Sequence, residues 1–411
     1  MTPAAYLDRH SAELVALVQK LVRLRTVNPP GENYGACTTL LADELRALGL
    51  QVRRVEIPRA RQKKTQPELL DYPRSNVIAF WDAGAKKTVH FNAHYDVVPV
   101  SGTWKHGDAF SGAVDGPWVY GRGTADMKGA IASILFALQA LRATDTRPLC
   151  NVEVSFTADE ETDSLLGTGW AVEHGKLRAD YAVVGEGGEA DTVCCGHNGV
   201  VWLNVVVHGK AAHGSTPERG INALEKMAAL VLALEDYKRR LARRKFRSPD
   251  GRVMRPTINV GGVFAPGEGG KINTVPARAS FSIDRRVLAI ENPRDAEREL
   301  RAFLTTAAKK IPQCRITIEK VSENFSCYTA PTSPFFQAMQ ASVAQVRRRP
   351  SKAGVSTGFN DMHFFAHHLR IPTLGYGPSG VNFHAVDERA RVKDLVNSAK
   401  IYTGLLTTFA G

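Results

Sequence analysis

Several hydrophobic runs in this sequence lead into a residue type that commonly binds metals. The candidate ligands are His94 in TVHFNAHYD, Glu160 and Glu161 in VEVSFTADEE, Glu186 in YAVVGEG, and His384 in IPTLGYGPSGVNFH. Short apolar runs alternate with amphipathic stretches of helix length, an order that predicts an α/β fold with a mostly parallel sheet flanked by helices. Because ligands bind at the carboxyl ends of strands in such sheets, we expect these side chains to meet in one cleft.

A further acid, Asp126, lies in GRGTADMKG just before a long apolar stretch that predicts a helix. Taken singly, each candidate has an ordinary explanation. Carboxylates are common on surfaces, an aspartate before a helix is often its N-cap, and a lone histidine usually has a structural role. Their matching positions favour a common site instead. Histidine, aspartate and glutamate side chains arranged in this way are the ligand set of a two-metal hydrolase.

The chain is long enough for two domains, because 411 residues exceed what one hydrophobic core usually covers. Residues 1–196 and 322–411 show helix and strand repeats and are predicted to form a metal-binding catalytic domain. Residues 197–321 change to the order βαββαβ, which predicts a split βαβ, an α+β lid and dimerisation domain inserted into the first. Within the insert, segment 243–256 (RRKFRSPDGRVMRP) predicts a loop.

Composition argues against several classes of protein. No apolar stretch is long enough to span a bilayer, and the N-terminal stretch lacks the apolar core and cleavage site of a signal peptide, so we expect a cytoplasmic protein without a membrane partner. The six cysteines form no CxxC pair, which argues against a structural zinc site or a disulfide framework. The net charge is +12, but the basic clusters lie in distant segments without interleaved aromatic residues. We therefore expect no nucleic-acid partner and keep nucleic-acid binding only as a minor alternative.

Motifs along nearly the whole chain resemble one enzyme family. HYD, GRGTADMKG, DEE, GEG and the late FH, together with GKAAHGSTPERGINAL inside the predicted insert, resemble the di-zinc amidohydrolase and peptidase family in order and approximate spacing. That family contains acetylornithine deacetylase, succinyl-diaminopimelate desuccinylase, aminoacylases and glutamate-releasing carboxypeptidases. The resemblance implies metal-dependent hydrolysis of the amide bond of an N-acyl amino acid through a metal-bridged water. A glutamate-releasing carboxypeptidase or dipeptidase is the alternative, and a non-catalytic binding protein on the same fold is a more remote one.

The resemblance implies a role for each candidate ligand. Asp126 bridges two metal ions, His94 and Glu186 complete one site, and Glu161 and His384 complete the other. Such a set suits two zinc ions, although cobalt or manganese is also compatible with it.

The resemblance also implies residues that act beside the metals. Asp96 accepts a hydrogen bond from the His94 imidazole and fixes its tautomer, and Glu160 carries proton transfer. His213 reaches the active site of the partner subunit in a homodimer formed through the insert, and stabilises the oxyanion of the tetrahedral intermediate. The ordinary alternatives are turn residues for Asp96 and His213 and a solvated acid for Glu160. The family usually has glycine two residues after the glutamate pair, where this chain has Asp163.

Substrate contacts follow from the same resemblance. Arg286 in FSIDRRVL and Asn273 in GGKINTVP match family positions that hold the substrate carboxylate, a task that suits a guanidinium group. Arg285 lies on the opposite face of the predicted strand, so we expect only one of the two arginines to face the substrate and the other to be solvated. Gly358 in TGFNDMHFF occupies the place of a glycine-rich substrate loop, although Asn360 replaces the serine common there. We expect a small N-acyl amino acid or a short peptide with a free α-carboxylate.

Overall fold

Helices and strands alternate along most of the chain. The computed structural model describes residues 1–266 and 271–411. The helices are α1 (Pro3–Arg9), α2 (Ser11–Arg23), α3 (Tyr34–Ala47), α4 (Arg59–Thr65), α5 (Lys128–Ala143), α6 (Thr168–Glu173), α7 (Ala223–Ala242), α8 (Pro293–Lys310), α9 (Pro334–Arg347) and α10 (Val392–Thr408). Among these described helices, none is both long enough and apolar enough to cross a membrane.

The strands are short except in the middle of the chain. They are β1 (Gln51–Glu56), β2 (Ser75–Trp81), β3 (Thr88–His94), β4 (Val114–Asp115), β5 (Trp118–Tyr120), β6 (Asn151–Thr157), β7 (Tyr181–Val184), β8 (Thr192–His197), β9 (Gly199–His208), β10 (Phe246–Arg247), β11 (Val253–Met254), β12 (Thr257–Pro266), β13 (Arg278–Val287), β14 (Arg315–Asn324), β15 (Cys327–Tyr328), β16 (Lys352–Ser356), β17 (Thr373–Gly375), β18 (Gly380–Val381) and β19 (Arg389–Arg391).

The chain forms two units, and each is made of more than one segment. The first consists of Met1–Gly196, Thr329–Gly354 and Asn360–Gly411, and the second of His197–Tyr328 and Val355–Phe359. The second unit ends later than the predicted boundary at residue 321. One reason is that β14, a strand of the second unit's sheet, continues to Asn324.

The first unit contains the α/β sheet that the sequence predicts. Its strands lie in the order β1-β2-β6-β3-β7-β17-β8. The central strands β6, β3, β7 and β17 run parallel, whereas β1, β2 and β8 pair antiparallel at the sides. Every residue of β3 and β6 is buried, as expected for strands covered on both faces. The predicted fold class is confirmed.

The carboxyl ends of the parallel strands lie at one edge of this sheet. β3 ends at His94, β6 at Thr157, β7 at Val184 and β17 at Gly375. The loops after β6 and β7 carry the candidate glutamates, and the segment after β17 carries the second histidine. Helix α5 begins two residues after Asp126 and packs against β3. The parallel arrangement therefore brings all the candidate ligands to the same edge.

The second unit contains the split βαβ arrangement. Strands β12, β13, β9 and β14 pair antiparallel in that order, and α7 and α8 pack against them around a common apolar core. The segment 243–256, predicted as a loop, instead contains a hairpin of β10 and β11, so that prediction was wrong. Apolar anchors explain the difference, because Met254 is buried and Phe246 packs edge-on against Tyr328 with ring centroids 5.5 Å apart.

Candidate metal centre

Asp126 lies between two histidines that come from distant parts of the sequence. Its Oδ1 is 3.0 Å from His94 Nε2, and its Oδ2 is 3.1 Å from His384 Nε2. Glu161 Oε2 lies 3.2 Å from the same nitrogen of His384. The two carboxylate oxygens of Asp126 thus face different histidines, an arrangement that allows one carboxylate to bridge two cations.

Glu186 adds another carboxylate to this cluster. Burial raises its pKa well above the usual value, and the charges of Asp126 and Glu161 raise it further. Within the described part of the chain, Glu186 Oε2 and Glu161 Oε1 are buried and accept no hydrogen bond. Buried carboxylate oxygens without partners are costly, and divalent cations would supply the missing positive charge. Nitrogen and oxygen donors of this kind suit zinc, and also cobalt or manganese.

Asp126 favours the protonated forms of His94 and His384, and the two imidazoles favour the ionised form of Asp126. Burial alone would raise the pKa of Asp126, but hydrogen bonds from His384 and His94 lower it below its usual range. Hydrogen bonds to Asp126 and Glu161 raise the pKa of His384 to about 10. Burial opposes protonation of His94, yet contacts with Asp126 and Asp96 raise its pKa well above normal. Protons and metal ions therefore compete for the same nitrogen atoms.

The loop after β6 turns sharply to present the glutamate pair. Glu160 and Glu161 begin a short 3₁₀ helix, and this helix lies between two aspartates with positive φ. These are Asp159 at +61° and Asp163 at +75°. Asp163 occupies the place of the family's usual glycine, and aspartate adopts the left-handed conformation more readily than most residues with a side chain. The substitution of that glycine therefore leaves the turn intact.

Asp96 holds the backbone of the glutamate pair. Its carboxylate accepts hydrogen bonds from the N–H groups of Glu160 and Glu161, each at 3.2 Å, and from Asn28 Nδ2 at 2.9 Å. The His94 imidazole Nδ1 lies 3.0 Å from the main-chain oxygen of Asp96 and 3.5 Å from its Oδ1. The main-chain carbonyl is thus the closer partner of the imidazole, and the carboxylate mainly orders the loop that carries the two glutamates.

Glu160 lies beside the cluster in a largely buried position. Its Oε2 is 3.9 Å from His94 Nε2, and its side chain is 15% exposed. Burial raises its pKa well above the usual value. The His94 charge opposes this, while Glu186, Asp361 and Glu161 add to it. A carboxyl group shifted in this direction is suited to proton transfer near neutral pH.

The second unit holds the other predicted residues near its surface. His213 is exposed, and its Nδ1 accepts a hydrogen bond from the Ser215 N–H at 3.2 Å. In the neutral imidazole this leaves the proton on Nε2, which is then a donor. The N–H of the residue after His213 donates to the Asn273 carbonyl at 2.7 Å, so the two predicted residues lie on adjacent loops. Gly358 is exposed in the segment Val355–Phe359 of the same unit.

The two adjacent arginines of β13 differ in environment. Arg285 is fully buried on the face that also carries Phe281, Ile283 and Val287. Its Nη2 lies 3.8 Å from Glu291. Arg286 is on the other face, where its side chain is 32% exposed and pairs with Asp284 at 2.9 Å. The expectation that one of the two would be merely solvated was wrong for Arg285, because the apolar alternation of β13 carries it into the core.

Comparisons with known proteins identify the family. The sequence model of Peptidase family M20/M25/M40 matches residues 90–408. This chain belongs to that family. Succinyl-diaminopimelate desuccinylase from Afipia carboxidovorans is 30% identical over 334 residues, which cover 78% of this chain and 83% of that protein. The protein of the same name from Rhodopseudomonas palustris is 29% identical over 413 residues, which cover 97% and 98%.

Solved structures of similar proteins share the fold of this M20 chain. Aminopeptidase PepT from Bacillus cereus has a TM-score of 0.74 at 19% identity, covering 97% of this chain and 98% of that chain. The M20 metallo-carboxypeptidase Sso-CP2 from Sulfolobus solfataricus has a TM-score of 0.71 at 21% identity, covering 96% and 98%. A Bacillus subtilis protein described as a dinuclear metal-binding M20 peptidase has a TM-score of 0.70 at 14% identity, covering 97% and 98%.

Membership of the M20 family confirms the predicted class of enzyme. The chain is a metal-dependent hydrolase that acts on amide bonds. Consistent with metal binding, His94, Asp126 and Glu161 each offer one ligand atom, and these atoms lie within 4.8 Å of one another.

A buried polar network lies behind the glutamate loop of this M20 enzyme, and it was not predicted from the sequence. Asp159 and Arg74 are fully buried and form an ion pair at 3.0 Å. Tyr34 Oη donates to Asp159 at 3.0 Å, and Asn28 Nδ2 does so at 3.2 Å. Gly31 makes room, since a side chain there would lie 2.3 Å from the Arg74 guanidinium. Asp159 belongs to the DEE motif, which was read only for its two glutamates, and nothing local in the sequence marked Arg74 or Tyr34.

Proposed function

We propose that this M20 enzyme hydrolyses the amide bond of an N-acyl amino acid with a free carboxylate, and that a succinyl group is the first acyl candidate. The observation that carries the proposal is the cluster in which each oxygen of Asp126 faces a different histidine. Relatives along nearly the whole chain are named succinyl-diaminopimelate desuccinylase, which supports the acyl class. The alternative is a glutamate-releasing carboxypeptidase or a dipeptidase.

The proposed metals are two zinc ions held by residues of the first unit. His94, Asp126 and Glu186 would hold one, and Asp126, Glu161 and His384 the other. When bound, such ions polarise the scissile carbonyl and make water a nucleophile at neutral pH. Hydrogen bonds between Asp126 and the two histidines hold their side chains together. The carboxylate of Asp96 accepts a hydrogen bond from the backbone N–H of Glu161 and so holds that residue in place.

Glu160 is the proposed proton carrier. Its carboxylate takes a proton from the attacking water and delivers it to the leaving amine nitrogen as the carbon–nitrogen bond breaks. The residue thereby returns to its starting state at the end of each cycle. Burial and the neighbouring carboxylates support this role, because they raise its pKa towards the working pH.

The second unit would contribute the substrate contacts. We propose that Arg286 and Asn273 bind the substrate carboxylate, that Gly358 lies in the substrate loop, and that the Nε2–H of His213 stabilises the oxyanion. Arg286 is supported by its half-exposed position on the sheet face opposite the core. His213 is supported by the hydrogen bond at Nδ1, which leaves Nε2 as a donor.

A homodimer formed through the second unit belongs to this proposal. Strand β12 is at the end of the order β12-β13-β9-β14 in the described residues, so one of its edges is open. Val263 and Phe264 on this strand are each 71% exposed, although both are large and apolar. A second copy that paired along the edge would cover them, since open strand edges readily pair with another chain. His213 would then act in the site of the partner subunit.

The proposed location is the cytoplasm, without a nucleic-acid or membrane partner. The irregular cysteine spacing supports a reducing compartment. The basic clusters occur in distant segments of the chain, as expected for a solvated surface.

The substrate class is tested with a panel of N-succinyl, N-acetyl and N-formyl amino acids alongside dipeptides and glutamate-terminated peptides. We expect the highest kcat/KM for an N-acyl amino acid, and a fall of about 10²-fold or more when its α-carboxylate is esterified. Arg286→Ala should abolish most of this discrimination. Arg294→Ala, an exposed arginine of the same unit, is the matched control.

Preference for dipeptides would favour the alternative. A metal-replete protein that hydrolyses no member of the panel would favour a non-catalytic binding protein.

A further inference from the structure

Glu388 is a buried carboxylate that contacts the loop before α5. It lies four residues after His384 and is fully buried. Its Oε1 accepts hydrogen bonds from the backbone N–H groups of Gly123 at 3.0 Å, Ala125 at 2.9 Å and Asp126 at 3.0 Å. A single oxygen atom therefore collects three donors of one turn, and one of them is the N–H of Asp126 itself.

The other oxygen of this carboxylate is paired with Arg122. The distance from Arg122 Nη1 to Glu388 Oε2 is 2.5 Å, and both side chains are almost fully buried. The guanidinium also lies over the ring of Trp104, 5.5 Å from its centroid. The main-chain oxygen of Glu388 accepts from Gly121 N at 2.9 Å. The loop is thus attached to Glu388 at both of its ends.

The shape of the loop requires this attachment. Gly123 has φ +86°, and a side chain there would lie 2.7 Å from Val97. A turn with several N–H groups directed to one point cannot satisfy them through its own carbonyls, so without an acceptor these donors would be buried and unpaired. Glu388 supplies the acceptor from a segment that also carries His384.

We propose that Glu388 is a positioning residue for the metal centre, which holds the main chain of Asp126 so that its two oxygens face His94 and His384. Because Glu388 and His384 share one segment, the same contact fixes these two candidate ligands relative to each other. This inference rests on the proposed metal ligands. A buried ion pair alone would be weak evidence for any role, and the three hydrogen bonds to the loop of Asp126 are what point to the metals.

Glu388→Gln tests the proposal, because it keeps the shape and removes the charge. If the amide NH₂ faces the turn, it meets three donors, and if it faces outward it meets Arg122, so the loop must shift in either case. We expect zinc to bind about 10- to 100-fold more weakly, the effect typical of lost support behind a metal ligand. Zinc affinity is measured by chelator competition on protein shown to be folded by circular dichroism. The absorption spectrum of the cobalt-loaded protein should change as well.

Glu153→Gln is the matched control. Glu153 is an equally buried carboxylate of the same unit that pairs with His90 Nδ1 at 2.9 Å and accepts from Arg178 N at 2.8 Å. This variant should lose stability but keep zinc affinity and the cobalt spectrum. Wild-type zinc affinity in folded Glu388→Gln protein would overturn the inference, as would an equal loss of affinity in Glu153→Gln.

Two further variants keep the result interpretable. If Glu388→Gln does not fold, Glu388→Asp keeps the charge but withdraws the carboxylate from the three backbone donors, and about ten-fold weaker zinc binding is expected. Unchanged affinity in Glu388→Asp would then overturn the inference. Asp126→Ala separates the two proposals. If Asp126→Ala keeps both ions, the proposed metal centre is wrong. If Asp126→Ala loses metal and the Glu388 variant binds it normally, only the role of Glu388 is rejected.

Discussion

Replacing Asp96 with asparagine tests whether one buried carboxylate holds the loop that carries Glu160 and Glu161. Asp96 is fully buried and accepts from three N–H donors. An amide has only one oxygen. If its NH₂ group replaces Oδ1, the N–H of Glu160 loses its acceptor. If it replaces Oδ2, Asn28 and the N–H of Glu161 lose theirs.

The magnitude follows from these contacts. A buried donor left without a partner costs about 1–3 kcal/mol, and a hydrogen bond to a charged group contributes about 1.5–3 kcal/mol against roughly 1 for a neutral one. We expect the free energy of unfolding of the first unit to fall by about 2–4 kcal/mol. Turnover at saturating zinc should fall about 10- to 100-fold, because the loop with Glu160 is no longer fixed.

Denaturant unfolding and steady-state kinetics measure the two effects. Asp43→Asn is the control, since Asp43 is exposed and pairs with Arg46 on the same helix. It should change stability by less than about 0.5 kcal/mol and leave turnover unchanged. If Asp96→Asn matched this control in both assays, the reasoning about the glutamate loop would be refuted.

Further predictions concern assembly, the two arginines and pH. His213→Ala should keep its metals and lose about 10²- to 10³-fold in turnover. Mixing it with Glu160→Gln should restore part of the activity, and no recovery under proven subunit exchange would rule out action across the dimer. Arg286→Ala should raise KM for carboxylate substrates about 10- to 100-fold without loss of stability, whereas Arg285→Met should destabilise the second unit at unchanged KM; the opposite pattern would exchange their roles. Burial lowers the pKa of Lys128 to about 8, below its unfolded value of about 10.4. Between these two pH values the folded chain binds fewer protons than the unfolded chain. The free energy of unfolding of the metal-free protein should therefore rise by about 3 kcal/mol over this range. Thermal unfolding of Lys128→Met should lack this rise, and an identical pH profile would contradict the assignment.

The sequence predicts that the candidate ligands lie together, and the structure brings these side chains to one edge of the sheet. Side chains at the carboxyl ends of parallel strands share one edge, so identifying the strands that end at His94, Thr157 and Val184 also predicts a common site. The apolar alternation of β13 contained a further signal. Phe281, Ile283 and Val287 alternate with polar residues and place Arg285 on the covered face of the strand.

Contacts between distant segments could not be predicted in this way. Arg74 and Asp159 pair across 85 residues of sequence, and Glu388 contacts a loop more than 260 residues earlier. Neither Arg74 nor Glu388 differs locally from an ordinary surface charge. The hairpin of β10 and β11 was missed because polar and glycine residues at its turn outweighed the apolar anchors Phe246 and Met254.

Metal content is the most direct test of the central claim. Elemental analysis should find two divalent ions per chain in the wild type and in Glu160→Gln. The Glu160→Gln variant should lose about 10²- to 10⁴-fold in turnover while keeping both ions, and Asp126→Ala should lose metal and activity together. Full activity in metal-free wild-type protein, or two ions retained in Asp126→Ala, would contradict the account.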